Sequence, residues 1–178
     1  DTDYFTLDTT LERDDGDLII SALVPYKKVD LAVEAYNLSG KKLRIVGTGS
    51  GFTELQKMAG PNIELLGRKT DEEIRDLYQR SRCLIFPGEE DFGIVPVEAM
   101  ACGCPVVAFN KGGATETVAD HVSGVFFDEQ TPQSLNEAVE RASHINWDRQ
   151  AIRAQAEKFS VQNFIDGMNE SIQACLKK

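Results

Sequence analysis

With 178 residues, 42% of them hydrophobic, the chain has the length and apolar content of one ordinary globular domain. Its formal net charge of −10 argues against non-specific binding to nucleic acid or to an anionic membrane surface, so an anionic ligand would need a local basic pocket. No apolar stretch approaches the roughly 20 residues of a membrane span, no signal-peptide pattern is present, and direct membrane insertion is not expected.

Residues 1–16 are polar, acidic and aperiodic, and begin with Asp rather than Met. They read as the remnant of an interdomain linker, with further chain expected upstream. From residue 17 onward, short β-branched runs alternate with helical patterns, the signature of a parallel sheet covered by helices. Strands are expected at 18–23, 43–46, 63–66, 83–86, 105–109 and 124–127. Runs such as CLIF and PVVAF are continuously apolar, as in strands buried on both faces.

The intervening helices carry their own end signals. VDLAVEAYNLS runs into Gly40, and Thr70 with Glu73 forms a capping box ahead of IRDLYQ. Pro96 fits only a first turn, which starts the next helix near residues 93–95, and Gly103 and Pro105 end it after EAMAC. Thr131 and Pro132 stand as N-cap and first residue of a helix over SLNEAVERA. A last helix, from about 160 to 176, carries an apolar stripe of Phe164, Met168, Ile172 and Leu176 that needs a surface to lie on. The expected fold is therefore one doubly wound, Rossmann-like α/β domain over residues 17–178, with a parallel sheet of about six strands.

The cysteines, Cys83, Cys102, Cys104 and Cys175, lack metal-ligand spacing, and reduced thiols fit a cytoplasmic protein. Ligands of such sheets bind beyond the carboxyl ends of the strands, and four of those loops are ligand-ready. The first carries Lys27 and Lys28 just before a helix, where they and the helix amides can meet a phosphate. The second, VGTGSG, sits after the second strand with spacing wrong for a dinucleotide fingerprint, which disfavours NAD. The third, PGEEDFGIVPVE, puts Glu90 on the loop and Glu98 one turn into the following helix, whose N-terminus and Gly93 amide suit a phosphate. The fourth, NKGGATET, is a Gly-Gly turn that suits backbone approach to a ligand and is also common as a plain turn.

Glu90 and Glu98, separated by seven residues and flanked in order by ALVPYKKVD, VGTGSG, NIELLGRKTDEEI and AFNKGGATETV, resemble the C-terminal domain of retaining glycosyltransferases of family 4, of the GT-B fold. The resemblance covers roughly residues 17–175 and implies a role for each matching position. Lys27, aided by Lys28, would contact the donor diphosphate, with Gly47, Gly49, Gly93 and Ile94 lining its pocket. Arg68 and Lys69, after Gly67, would lie beside the nucleobase, and Glu98 on the ribose. Glu90, Asp91, Phe92 and Gly93 would hold the transferred sugar, Glu90 being the catalytic carboxylate. No metal and no cofactor are implied. Many relatives carry arginine at the strand position held here by Ala22, and its absence removes one bidentate phosphate contact.

The PYK-basic-VD pattern resembles polysaccharide mannosyltransferases, which points to GDP-mannose as donor and to a saccharide or lipid-linked acceptor. The acceptor would be held by an N-terminal domain absent from this chain, leaving the isolated domain inactive. That domain could also bring a cytoplasmic enzyme to the membrane face. Two rivals use the same loops: a sugar-nucleotide 2-epimerase of the same fold, and a non-catalytic nucleotide-binding module.

Overall fold

A computed structural model describes residues 1–176. Six strands, β1 (Asp17–Ile20), β2 (Leu43–Val46), β3 (Ile63–Gly67), β4 (Leu84–Phe86), β5 (Val106–Phe109) and β6 (Gly124–Phe127), form one parallel sheet in the order β3-β2-β1-β4-β5-β6. Between them run α1 (Val29–Ser39), α2 (Phe52–Met58), α3 (Asp71–Arg80), α4 (Ile94–Ala101) and α5 (Ala114–Thr117). After β6 come α6 (Pro132–Ser143), α7 (Arg149–Glu157) and α8 (Val161–Leu176). No described helix is long and apolar enough to cross a membrane.

Both faces of the sheet are covered because successive strand residues point to opposite sides. Ile19, Ile85 and Val107 pack with α1, α2 and α6, while Leu18, Leu84, Phe86 and Val106 pack with α3, α4, α5 and α7. The strand order reverses between β1 and β4, whose carboxyl ends open a crevice at the switch point of the topology.

The end signals act as expected. Gly40 closes α1 at φ 69°, the Thr70–Glu73 capping box is complete, and the Thr131 hydroxyl accepts from the Ser134 amide. Helix α7 is an addition to the elements expected from sequence. Its signal was Asp148, whose carboxylate accepts from the Gln150 and Ala151 amides at 2.9 and 3.2 Å.

The first strand requires a correction, because it stops at Ile20 rather than residue 23. There the backbone turns to bond the loop after β2, with Leu23 N donating to Thr48 O at 2.9 Å, and Ala22 is left exposed outside the sheet. Residues 1–16 form no helix or strand, yet they lie against the body. Phe5 is buried edge-on to Tyr78, and Arg153 donates to the carbonyls of Thr2, Phe5 and Ala101. Helix α8 presents Phe164, Ile165, Met168, Ile172 and Leu176 exposed, so its apolar stripe finds no surface among the described residues.

Candidate functional site

The crevice between β1 and β4 is built by two loops that meet. After β1 a single 3-10 turn, Pro25–Lys27, aims Lys27 across the gap, and its Nζ lies 2.5 Å from Glu90 Oε1. The two side chains are only 14% and 24% exposed, so the pair is partly withdrawn from water. Gly88 permits the approach, since a Cβ there would stand 3.0 Å from Lys27 Cα. Lys28 closes the turn in the left-handed region at φ 56°, a strained conformation for a residue with a side chain. Lys28 is half-buried, and it directly precedes α1.

Beyond Glu90 the loop enters α4 through Gly93, at φ 78°. No side chain caps this end, no acidic residue stands in its first turn, and the Gly93 and Ile94 amides have no partner among the described residues. An uncapped helix N-terminus of this kind favours an anion. Asp91, Phe92 and Ile94 are exposed at the mouth, the Phe92 ring edge-on to Phe159 at 5.9 Å.

Glu98 sits one turn further along α4, half-buried, and accepts from the Tyr78 hydroxyl of α3 at 3.2 Å. Burial raises its carboxyl above the ordinary range, and the Tyr78 hydrogen bond opposes that rise. Tyr78 is fully buried and was not anticipated from sequence, where nothing local ties position 78 to position 98.

The glycine loops serve first to bring backbones together. A Cβ on Gly49 would stand 2.7 and 2.8 Å from Leu23 C and N, and one on Gly47 would overlap Ser21 O. The Gly47 amide is spent on Gly67 O at 2.8 Å and the space beside its Cα is filled by Ser21 O, so Gly47 shapes the loop rather than offering a donor. Likewise the Gly112-Gly113 turn lies beneath the Glu90 loop, with Gly113 N donating to Glu90 O at 2.7 Å. Its close approach is to protein backbone, and it fixes where Glu90 stands. Arg68 and Lys69 follow directly on β3, whose last residue, Gly67, accepts from the Gly47 amide. Arg68 is exposed, and Lys69 pairs with Glu73 at 2.9 Å.

The family model described as Glycosyl transferases group 1 matches residues 12–159. An uncharacterized glycosyltransferase of Methanocaldococcus jannaschii is 33% identical over 127 residues, covering 68% of this chain and 36% of the relative. The alpha-1,3/1,6-mannosyltransferase ALG2 of Mus musculus is 30% identical over 155 residues, covering 79% and 36%. Among solved structures, sucrose-phosphate synthase from Thermosynechococcus elongatus aligns with a TM-score of 0.83 at 20% identity, covering 99% of this chain and 51% of that one. Anabaena HepE in complex with UDP and glucose aligns with a TM-score of 0.75 at 23% identity, covering 100% and 55%. The chain thus spans about a third of these curated relatives and about half of these structures. Its six-stranded parallel sheet is the Rossmann-like sheet of GT-B glycosyltransferase structures, and the chain belongs to the glycosyl transferases group 1 family.

Proposed function

We propose that this chain is the donor-binding domain of a retaining glycosyltransferase that takes a hexosyl group from a nucleotide sugar, GDP-mannose before others. The acceptor, a saccharide or lipid-linked saccharide, is held mainly by chain outside these residues, so the isolated domain binds donor without turnover. The observation that carries this reading is the meeting of Lys27, Glu90 and the uncapped end of α4 at the switch point of the sheet. A cation and free amides beside a carboxylate suit a bond whose breaking leaves negative charge on a diphosphate and positive charge on the anomeric carbon.

In this mechanism Lys27, with Lys28 beside it, and the Gly93 and Ile94 amides stabilise the leaving diphosphate without a metal. Glu90 faces the sugar and offsets the developing positive charge, while Glu98 holds the ribose hydroxyls. The likeness to mouse ALG2 supports mannose as the transferred sugar. A second reading, a UDP-sugar donor, is favoured by the UDP and glucose bound in the HepE structure. Calorimetry of this chain with GDP, GDP-mannose, UDP and UDP-glucose tests both. Saturable binding with the guanine pair tighter is expected. Tighter uracil ligands would replace the base assignment, and no saturable binding of any of the four at millimolar concentration would overturn the reading.

A further inference from the structure

At the amino ends of the strands, away from the crevice, lies a cavity of about 300 Å³ whose lining includes Arg13, Arg82, Cys83, Asn146, Trp147 and Arg149. Its three guanidinium groups are not equivalent. Arg82 is matched by Asp17, a fully buried carboxylate that accepts from Arg82 Nε at 2.8 Å and pairs with its Nη2. Asp17 also accepts from the Tyr36 hydroxyl at 2.5 Å and the Cys83 thiol at 2.9 Å, so its capacity is taken up.

Arg13 and Arg149 have no such partner among the described residues. Arg13 donates to the Gly103 carbonyl, and Arg149 to those of Leu11 and Gln79 at 3.0 and 3.3 Å, all neutral acceptors. The Nε of each is buried with no hydrogen bond, while the Nη1 atoms of Arg13 and Arg82 donate to nothing described. Burial, and then the charge of Arg13, hold Arg149 below the ordinary arginine range. Asp8, whose charge also reaches Arg149, is half-buried and its carboxylate is engaged by Thr10. Two partly desolvated positive charges therefore share one cavity in a chain of net charge −10. Such an arrangement is costly when empty and favourable around an anion.

We infer that this cavity binds a small oxyanion of the phosphate class, with Arg13 and Arg149 as its charge partners. A soluble ion is the occupant rather than a membrane headgroup, because the overall negative charge opposes an anionic surface. The site is separate from the crevice and does not depend on the proposed donor.

The chain has a single tryptophan, Trp147, and it stands in the wall of this cavity with its indole nitrogen donating to Ala142 O at 3.0 Å. Its fluorescence therefore reports this cavity and not the crevice. Titration with inorganic phosphate and pyrophosphate, against chloride at equal ionic strength, should give a saturable Trp147 response to the oxyanions alone. The response should persist in Lys27→Ala, made to remove phosphate binding at the crevice, and Arg149→Gln should weaken it roughly tenfold or more. Arg149→Lys should restore it in part, and Arg13→Gln serves if Arg149→Gln fails to fold. A wild-type response that is flat, or equal for chloride, overturns the inference, as does calorimetric binding to Lys27→Ala without a Trp147 response.

Discussion

Replacing Gly113 by alanine tests how the crevice is held. Gly113 has φ −62° and ψ −19°, a conformation alanine adopts freely, so the backbone alone predicts a gain of about 0.4–1 kcal/mol from the stiffer unfolded chain. The neighbours predict the opposite. An added Cβ would stand 2.5 Å from Phe92 Cα and overlap Asp91 O, and these are backbone atoms that cannot swing aside. Overpacking of this kind costs about 1–3 kcal/mol, which at mid-range outweighs the gain and leaves a net loss of about 1 kcal/mol.

Gly40→Ala is the matched control. At Gly40, φ is 69° and nothing lies within 4 Å, so alanine there adds only left-handed strain of about 1–2 kcal/mol, far from the crevice. Urea denaturation should find both variants destabilised by similar amounts. Calorimetry should find nucleotide-sugar binding weakened only in Gly113→Ala, roughly tenfold or more, through displacement of Glu90, Asp91 and Phe92. A Gly113→Ala protein as stable as wild type, or one with unchanged affinity, would refute the argument that this turn positions the loop.

The other predictions concern the two glutamates and the absence of a metal. Glu98→Gln should weaken nucleoside diphosphate and nucleotide sugar alike, by about ten- to a hundred-fold, because both carry the ribose. The same substitution should stabilise the empty fold at neutral pH. Burial raises the Glu98 carboxyl above its ordinary 4.5, so the native state prefers the proton and loses stability as pH rises from 4.5 through that raised value. The stability gap between variant and wild type should open over that window, and melting curves at pH 4 and 7 showing no change would contradict it. Glu90→Gln should raise affinity for the bare diphosphate about two- to fivefold, since it frees Lys27 from a partly exposed ion pair. In an enzyme with its acceptor half it should depress turnover strongly; weaker diphosphate binding by calorimetry would reassign Glu90. Excess chelator should leave donor affinity unchanged, and its loss would make a metal part of the site.

Sequence determined what local chemistry controls. Capping depends on residues three or four apart, which is why Gly40, Thr70 with Glu73, Pro96 and Thr131 with Pro132 marked helix ends correctly. Continuous apolar runs marked β4, β5 and β6 because burial on both faces leaves no polar side, whereas β2 and β3 carry Arg44 and Glu64 within their runs, and the order of the loops around Glu90 and Glu98 carried the family. Tertiary structure decided where partners distant in the chain come to lie. That Lys27 meets Glu90, that Tyr78 meets Glu98, and that Gly113 carries the Glu90 loop follow from placing β1, β4 and β5 side by side. The early end of β1 belongs to the same class, because its last residues turn to hydrogen bonds offered by the loop after β2. Asp17 gives the plainest case: a carboxylate opening an apolar run looks solvated in sequence, and only the fold brings Tyr36, Arg82 and Cys83 around it to satisfy a buried charge.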